Sequence, residues 1–205
     1  MQKHTPKLRV ALMVVAIAAW VSILVPPAVA ENAFVEITGQ TTSYADGDDG
    51  DIQAGVQFPA MRFRDNGNGT VTDRLTNLIW LKNANCFPIS ELGITWQQAL
   101  EAANTLHDTG TPSTTDDCGL SDGSVAGDWR LPNVKELQSL IDFGHISPAL
   151  PTGHPFLNVA SPFYWSSTTL VASQLYAWLV RPVTGDTVGD FKDRPYLVWP
   201  VRGGK

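Results

Sequence analysis

Residues 127–137 read GDWRLPNVKEL, and this stretch decides the fold class. Asn133 and Glu136 stand three residues apart, which is the spacing of a capping box, where each side chain accepts a hydrogen bond from a free backbone N–H group at a helix start. Apolar residues follow at helical spacing, and Gly144 is a typical residue for the helix end. The sequence therefore predicts a helix whose buried residues are Val134, Leu137, Leu140 and Ile141.

A second helix with the same kind of start lies upstream. Thr95 and Gln98 form another capping box, and the apolar pattern behind them continues to about His107. The residues predicted to face the core are Trp96, Ala99, Leu100, Ala103 and Leu106. Residues 108–127 are rich in Thr, Ser, Gly and Asp, so we expect a long loop between the two helices.

Short runs of β-branched and aromatic residues stand on either side of the two helices. The Asn-Gly pairs at 66–69 favour a tight turn, so residues 61–73 are predicted to form a β-hairpin and residues 78–81 another strand. Four further runs predict an antiparallel β-meander, at residues 163–169, 176–180, 187–191 and 197–201. Two amphipathic helices packed on short, twisted antiparallel sheets make an α+β domain.

Residues 1–30 have the order of a secretory signal. An apolar run over residues 10–25 is followed by the small residues AVA at 28–30 and preceded by three basic residues, Lys3, Lys7 and Arg9. This order is typical of a cleaved signal peptide. An uncleaved anchor is the alternative, but the run is shorter than the roughly 20 residues that span a bilayer. We therefore expect a secreted or periplasmic protein that keeps no stable membrane anchor after cleavage.

The rest of the chain divides by charge into an acidic arm at 31–60 and a domain at 61–205. The whole chain has 14 Lys and Arg against 20 Asp and Glu, a net charge of −6, and the signal removes three of the basic residues. Nucleic acid is therefore a poor partner. After removal of the signal, only residues 143–205 have a net positive charge, so a polyanion would have to bind there. The sequence predicts no oligomeric state.

The chain has two cysteines, Cys86 and Cys118. In an exported protein an even number of cysteines indicates a disulfide, and we predict that this bond ties the long loop to the segment before the first helix. Two cysteines cannot build a structural zinc site by themselves. Their separation is also unlike the Cys-x-x-Cys spacing of redox catalysts.

Five segments of the chain together resemble a bacterial exported family, named after the C-terminal domain of the Legionella collagen-like adhesin. They are ITWQQA at 94–99, GDWRLPNVKEL at 127–137, YWSSTT at 164–169, AW at 177–178 and VWPVRGG at 198–204. The resemblance covers roughly residues 46–204 and implies a C-type-lectin-like fold. The named adhesin domain is associated with sulfated glycosaminoglycans. Since this chain has no Gly-X-Y stalk, the resemblance is to the domain only.

The order of the Ile-Thr-Trp and Arg-Leu-Pro helix starts also resembles the formylglycine-generating-enzyme superfamily. Those enzymes use cysteine chemistry in their C-terminal part, whereas this chain has no cysteine after Cys118, so the resemblance implies no catalytic residue. No local motif marks a nucleophile or base at Ser166, His107, His145 or His154. We expect a non-enzymatic recognition or adhesion domain that binds a surface glycan or a protein. The alternatives are a hydrolase or oxidase-like enzyme with an unrecognised site, and a structural component of the cell envelope.

A polyanionic glycan needs cationic side chains and exposed rings. The ligand-binding candidates are Tyr164, Tyr176, Arg181, Lys192, Arg194 and Tyr196, with Arg202 completing the basic set. Interspersed aspartates favour the alternative of a solvated face with mixed charges. We expect four large aromatic residues in the core instead, namely Trp129, Trp165, Trp178 and Trp199.

Calcium is the one cofactor that the sequence raises. Acidic residues crowd one glycine-rich turn, and two more flank the hairpin: Asp46, Asp48, Asp49 and Asp51, then Asp65 and Asp73. The EF-hand pattern is not met, because Gly50 stands at its third ligand position and Gln57 where a bidentate Glu belongs. A solvated acidic turn is therefore favoured, and no cofactor is expected.

Overall fold

The structure, a computed structural model, describes residues 35–87, 93–109 and 118–204. All of these residues belong to one compact unit. The predicted signal peptide at 1–30 lies outside the described residues. None of the helices in the described ranges has the length and apolar character that crossing a membrane requires.

The first sheet contains the predicted hairpin. Its strands are β1 (Phe63–Asp65), β2 (Thr70–Asp73), β3 (Ile79–Leu81) and β7 (Val201–Arg202), hydrogen-bonded in the order β1-β2-β3-β7. All neighbours are antiparallel, and Asp65 pairs with Val71 across the hairpin. Gly67 and Gly69 adopt φ values of 74° and 80° in the turn, which only glycine reaches without strain. The hairpin and the strand after it are therefore confirmed.

The second sheet is a three-stranded antiparallel meander. It consists of β4 (Tyr164–Thr169), β5 (Tyr176–Val180) and β6 (Thr187–Phe191), in that order. The predicted fourth strand at 197–201 is wrong, because β7 pairs with β3 of the other sheet. Leu197, Val198 and Trp199 are buried in succession, so this segment crosses the core and has no solvent-facing side.

The described ranges contain three helices, which are α1 (Asp49–Ile52), α2 (Trp96–Thr105) and α3 (Val134–Ser139). Both capping boxes are confirmed: the N–H group of Thr95 donates to Gln98 Oε1 at 3.0 Å, and that of Glu136 donates to Asn133 Oδ1 at 3.0 Å. Helix α2 ends at Thr105, two residues before the predicted end at His107. On the face that was expected to be buried, Trp96 and Leu100 are only half-buried.

Helix α3 is shorter than the sequence predicts. It ends at Ser139, so the expected end at Gly144 is wrong. Leu140 and Ile141 lie beyond the helix but are still buried. The N–H group of Asp142 donates to the carbonyl of Ala149 at 3.0 Å, and this contact directs the chain away from the helix axis.

The core contains three of the four expected tryptophans. Trp129, Trp165 and Trp199 are fully buried. The indole N–H group of each ring donates a hydrogen bond, so none of the three is buried with an unpaired donor. In the same order, the acceptors are Ser124 Oγ at 3.0 Å, the Ile94 carbonyl at 2.9 Å and the Leu81 carbonyl at 2.8 Å.

Trp178 is half-buried, so the prediction of a core position is wrong for this residue. Along β5 the residues alternate between two faces, and Ala177 and Leu179 point to the core. Trp178 therefore lies on the opposite face of the sheet.

The predicted disulfide between Cys86 and Cys118 is confirmed, with 5.5 Å between the Cα atoms. Both cysteines are buried in the same hydrophobic cluster as Leu120 and Trp129. Helices, two antiparallel sheets and one disulfide confirm the α+β class. The C-type-lectin-like fold that the resemblance implies stays a prediction.

Candidate functional site

An open cleft of about 790 Å³ lies beside α2. Gln97, Glu101 and Asn104 form one wall, and they share a face of the helix because they are four and three residues apart. The capping residue Asn133 and the β4 residue Ser167 also line the cleft. The two capping boxes therefore position the cleft, since they fix where α2 and α3 begin.

The α2 wall offers polar groups that no protein group occupies. In the described part of the chain, the side chains of Gln97, Glu101 and Asn104 make no hydrogen bond or ion pair. Arg130, by contrast, is held by Glu136 through two N–O distances of 2.7 Å. Leu100 adds a half-buried apolar surface between the polar groups. The cleft thus presents free amides and one carboxylate around an apolar strip.

An aromatic residue with a cation above it adjoins the cleft. Trp96 precedes Gln97, and its indole N–H group donates to the carbonyl of Ser166 at 2.8 Å, next to Ser167. The Nζ atom of Lys192 lies 3.9 Å from the centre of the Trp96 ring, which is a cation–π contact.

Lys192 is fixed in place without being neutralised. Its Nζ atom donates to Thr169 Oγ1 at 2.8 Å, and its carbonyl accepts from the N–H group of Trp96 at 2.9 Å. Among the residues that the structure describes, no carboxylate pairs with this ammonium group.

The other basic candidates have acidic partners. Arg181 pairs with Asp186, Arg194 lies 3.6 Å from Asp190, and Arg202 lies 3.0 Å from Asp122. Arg181 follows β5, whereas Lys192 follows β6, so the antiparallel pairing puts them at opposite ends of the hairpin. The structure therefore does not bring Arg181 and Lys192 together into one patch.

The tyrosine candidates differ in accessibility. Tyr164 is fully buried, so the prediction that it contacts a ligand is wrong. Its hydroxyl oxygen accepts from the N–H group of Ala160 at 3.0 Å, and burial raises the pKa of Tyr164 to about 12. The reason is its position in β4, where Leu197 crosses beside it. Tyr176 is half-buried and packs on Phe191, with 4.1 Å between ring centres.

Tyr196 is half-buried and donates its hydroxyl proton to Asp190 Oδ2 at 2.5 Å. Burial and the adjacent Asp190 raise the pKa of Tyr196 to about 12. Burial also acts to raise the pKa of Asp190, but hydrogen bonds from Tyr196 and the N–H group of Phe191, together with the charge of Arg194, lower it overall. The phenol is thus engaged within the protein.

The acidic turn does not assemble a metal site. Across the described ranges, no three His, Cys, Asp or Glu residues are grouped so that they could hold an ion. Asp48 is the N-cap of α1, and its carboxylate accepts from the N–H groups of Tyr44 at 2.6 Å and Asp51 at 3.0 Å. The Tyr44 hydrogen bond lowers the pKa of Asp48.

Four more aspartates of the calcium hypothesis also have protein partners, whereas no hydrogen bond or ion pair to the carboxylate of Asp46 is seen within the described residues. Asp49 accepts from Thr38 Oγ1 and Asp51 from the N–H group of Gly47. Asp65 pairs with Lys82 at 2.7 Å, and Asp73 pairs with the buried Arg62 at 2.9 Å. Five of the six carboxylates therefore already have partners within the protein.

Sequence analysis missed a chain of three polar side chains. The carboxylate of the buried Asp142 lies 2.9 Å from His145 Nδ1, and the other ring nitrogen lies 2.8 Å from Thr152 Oγ1. The three-residue spacing from Asp142 to His145 could have suggested the first contact. Thr152 is reached only because a turn brings the chain back, and no local pattern signals that.

The family model of the Lcl C-terminal domain matches residues 69–202. The chain belongs to this family. The match confirms the resemblance seen in the sequence, and it spans every residue that lines the α2 cleft. An Lcl C-terminal domain suggests a bacterial exported or surface protein. No curated protein matches the chain.

Proposed function

We propose that this Lcl C-terminal domain is an exported recognition domain that binds a glycan in the α2 cleft. The observation that carries the proposal is the row of unoccupied polar side chains at Gln97, Glu101 and Asn104 along an open groove. The order of residues 1–30 supports export, and the disulfide is compatible with it.

Sugar chemistry fits this lining. Each sugar hydroxyl both donates and accepts hydrogen bonds, and the amides of Gln97 and Asn104 do the same. The apolar face of a sugar ring can pack on Leu100. An open groove also suits an extended polymer better than a small metabolite, whose sites enclose most of the ligand.

Lys192 favours a glycan that carries a sulfate or carboxylate group. A cation that already has a carboxylate partner contributes less to binding an anion, which sets Lys192 apart from Arg181 and Arg194. Glu101 repels anions within the cleft itself. The anionic group would therefore lie at the Trp96–Lys192 end.

Heparin and fucoidan columns test the proposal. We expect the mature protein to be retained at low salt and Lys192→Gln to elute at lower salt. The control Arg74→Gln removes an equal charge from an exposed residue at the turn between β2 and β3, and it should elute with the wild type. Flow-through of the wild type at low salt would exclude sulfated ligands, and equal elution of both variants would exclude the role of Lys192.

The Asp142–His145–Thr152 chain favours a hydrolase as the second candidate. In such a chain the carboxylate orients the imidazole, which takes the proton of an attacking hydroxyl group. Hydrolysis of an activated acetyl ester tests this reading. A rate that falls at least tenfold in both His145→Gln and Thr152→Val would support it. If the wild-type rate is no higher than that of these variants, the three residues have no catalytic role and only hold the two turns together.

A further inference from the structure

Three aromatic side chains lie together on one side of the β4-β5-β6 meander. Tyr176 and Trp178 point to the same side because they are two residues apart in β5. Across the pairing with β6, Phe191 is opposite Tyr176 and Gly189 is opposite Trp178, and paired residues of antiparallel strands share a side of the sheet. The rings of Tyr176 and Phe191 pack with 4.1 Å between their centres. We call Tyr176, Trp178 and Phe191 the aromatic face.

The aromatic face lies on the opposite side of the sheet from helix α2. Ala177 and Leu179 alternate with its residues along β5, and they pack in one buried cluster with Ala99 and Ala103 of α2. No residue of the aromatic face lines the α2 cleft. A ligand on this face would therefore occupy a second site.

Helix α3 covers only the other end of this side of the sheet. Gln138 of α3 donates to Thr187 Oγ1 at 3.0 Å, and Val180, which is opposite Thr187, is buried. At the uncovered end, the two aromatic residues of β5 are half-buried and Phe191 is 38% exposed. A cluster of rings that remains in contact with solvent is typical of an interaction site.

Two hydrogen-bonding groups of the aromatic face are free and accessible. Within the residues that the structure describes, neither the indole N–H group of Trp178 nor the hydroxyl group of Tyr176 makes a hydrogen bond, and neither group is buried. The N–H groups of the three buried tryptophans, by contrast, all donate to oxygens of the protein. A ligand on the aromatic face can therefore reach both an indole donor and a phenol.

Gly189 leaves the position opposite Trp178 without a side chain. Its backbone lies outside the left-handed region, so its conformation does not demand a glycine. A Cβ atom here would lie 3.3 Å from Leu170 Cδ2, so the half-buried Leu170 side chain extends over the glycine and adds an apolar border to the aromatic face. A glycine inside a regular strand is typical of a place where another group approaches closely.

The charge and the size of the aromatic face indicate what it can bind. Strands β5 and β6 contain one charged residue, Asp190, which pairs with Ala177 and so points to the α2 side. A neutral ligand therefore fits better than an ion. Three partly buried rings expose roughly 300 Å², whereas a stable protein interface buries about 800 Å² of each partner. The area fits a small ligand and is too small for a second copy of the chain.

We propose that the aromatic face binds an uncharged sugar of the glucose configuration. The ring hydroxyl groups of such a sugar are equatorial, so its flat faces expose C–H groups that pack on the electron-rich face of an aromatic ring. A sugar hydroxyl would accept from the indole N–H group of Trp178, and another would share a hydrogen bond with Tyr176. The neutral ligand distinguishes this site from the α2 cleft, for which we propose an anionic glycan.

A titration with cellopentaose, an uncharged β-linked glucose oligomer, tests the proposal. It follows the indole ¹⁵N–¹H resonance of Trp178 in the mature protein, which is assigned by its loss in Trp178→Phe. Sorbitol is the control, because it carries similar hydroxyl groups but has no ring. We expect cellopentaose to shift the resonance saturably with a Kd on the order of 1 mM, and sorbitol to leave it unchanged.

Three outcomes of this titration would overturn the proposal. They are no saturable shift with cellopentaose, equal shifts with cellopentaose and sorbitol, and a shift that follows the protein concentration without any sugar. The last outcome would instead assign the aromatic face to self-association.

Variants separate binding from folding. Phe191→Ala removes one ring and should weaken the binding of cellopentaose about fivefold. Gly189→Gln adds a side chain opposite Trp178 without removing one, and it should weaken binding as well. The control Tyr44→Ala removes a ring that is 85% exposed and lies outside the aromatic face, so it should bind as the wild type does. Undiminished binding in both Phe191→Ala and Gly189→Gln would contradict the site.

Discussion

Asp73 shows how much a single buried charge can matter in this protein. The side chains of Asp73 and Arg62 are both almost completely buried, and they form a salt bridge of 2.9 Å. Removing one partner from such a pair leaves the other charge buried and unpaired, which costs about 3–5 kcal/mol. We therefore expect Asp73→Asn to lower the free energy of unfolding by that amount in urea denaturation.

Asp65 provides the matched control for this prediction. It pairs with Lys82 at 2.7 Å, but both side chains are partly exposed, so the pair is worth at most about 1 kcal/mol. Asp65→Asn should change the stability by no more than that. Equal losses in the two variants would show that burial does not set the strength of these pairs.

The contact between Tyr196 and Asp190 predicts a pH effect. Because the folded pKa of Asp190 is lowered, its ionised form contributes stability above the unfolded pKa of about 3.9. That contribution is lost as the pH falls through the folded pKa. Tyr196→Phe removes a hydrogen bond to the carboxylate, so it should raise the pKa of Asp190 in a carboxyl ¹³C titration. An unchanged midpoint would contradict the contact.

At the scale of elements, Asn133 is the clearest test of why α3 begins where it does. Its side chain accepts from the N–H group of Glu136, and Glu136 accepts from that of Asn133 at 2.8 Å. Losing a cap of this kind costs about 1 kcal/mol. Asn133→Ala should lower the free energy of unfolding by about that much, as measured in urea. The control Lys135→Ala changes an exposed residue of the same helix, so it should change the free energy of unfolding by no more than about 0.5 kcal/mol. If Lys135→Ala destabilised the protein as much as Asn133→Ala, the role of Asn133 as a cap would be contradicted.

Local signals explain which elements the sequence predicts well. Capping boxes and Asn-Gly turns act within four residues, so the starts of α2 and α3 and the hairpin of β1 and β2 follow from spacing alone. Helix ends and strand partners depend on distant residues instead. Helix α3 ends at Ser139, and beyond it the N–H group of Asp142 pairs with the distant carbonyl of Ala149 instead of continuing the helix. Strand β7 pairs with β3 after residues 197–200 have run through the core.

At the scale of the whole molecule, the candidate site was only partly predictable. Composition singled out Lys192 with the other basic residues, but the pairing of Arg181 with Asp186 and Arg194 with Asp190 appears only once the chain is folded. The α2 wall was missed because Gln97, Glu101 and Asn104 look like ordinary solvent-facing helix residues. Only the packing of α2 beside Asn133 and Ser167 makes their face a cleft.

Chemical-shift mapping of the mature ¹⁵N-labelled protein with a sulfated oligosaccharide tests the central claim most directly. The account predicts shifts at the side-chain amides of Gln97 and Asn104, at the Trp96 indole and around Lys192. Shifts confined to the surroundings of Arg181 and Arg194, or no shifts with any glycan, would contradict a binding site in the α2 cleft.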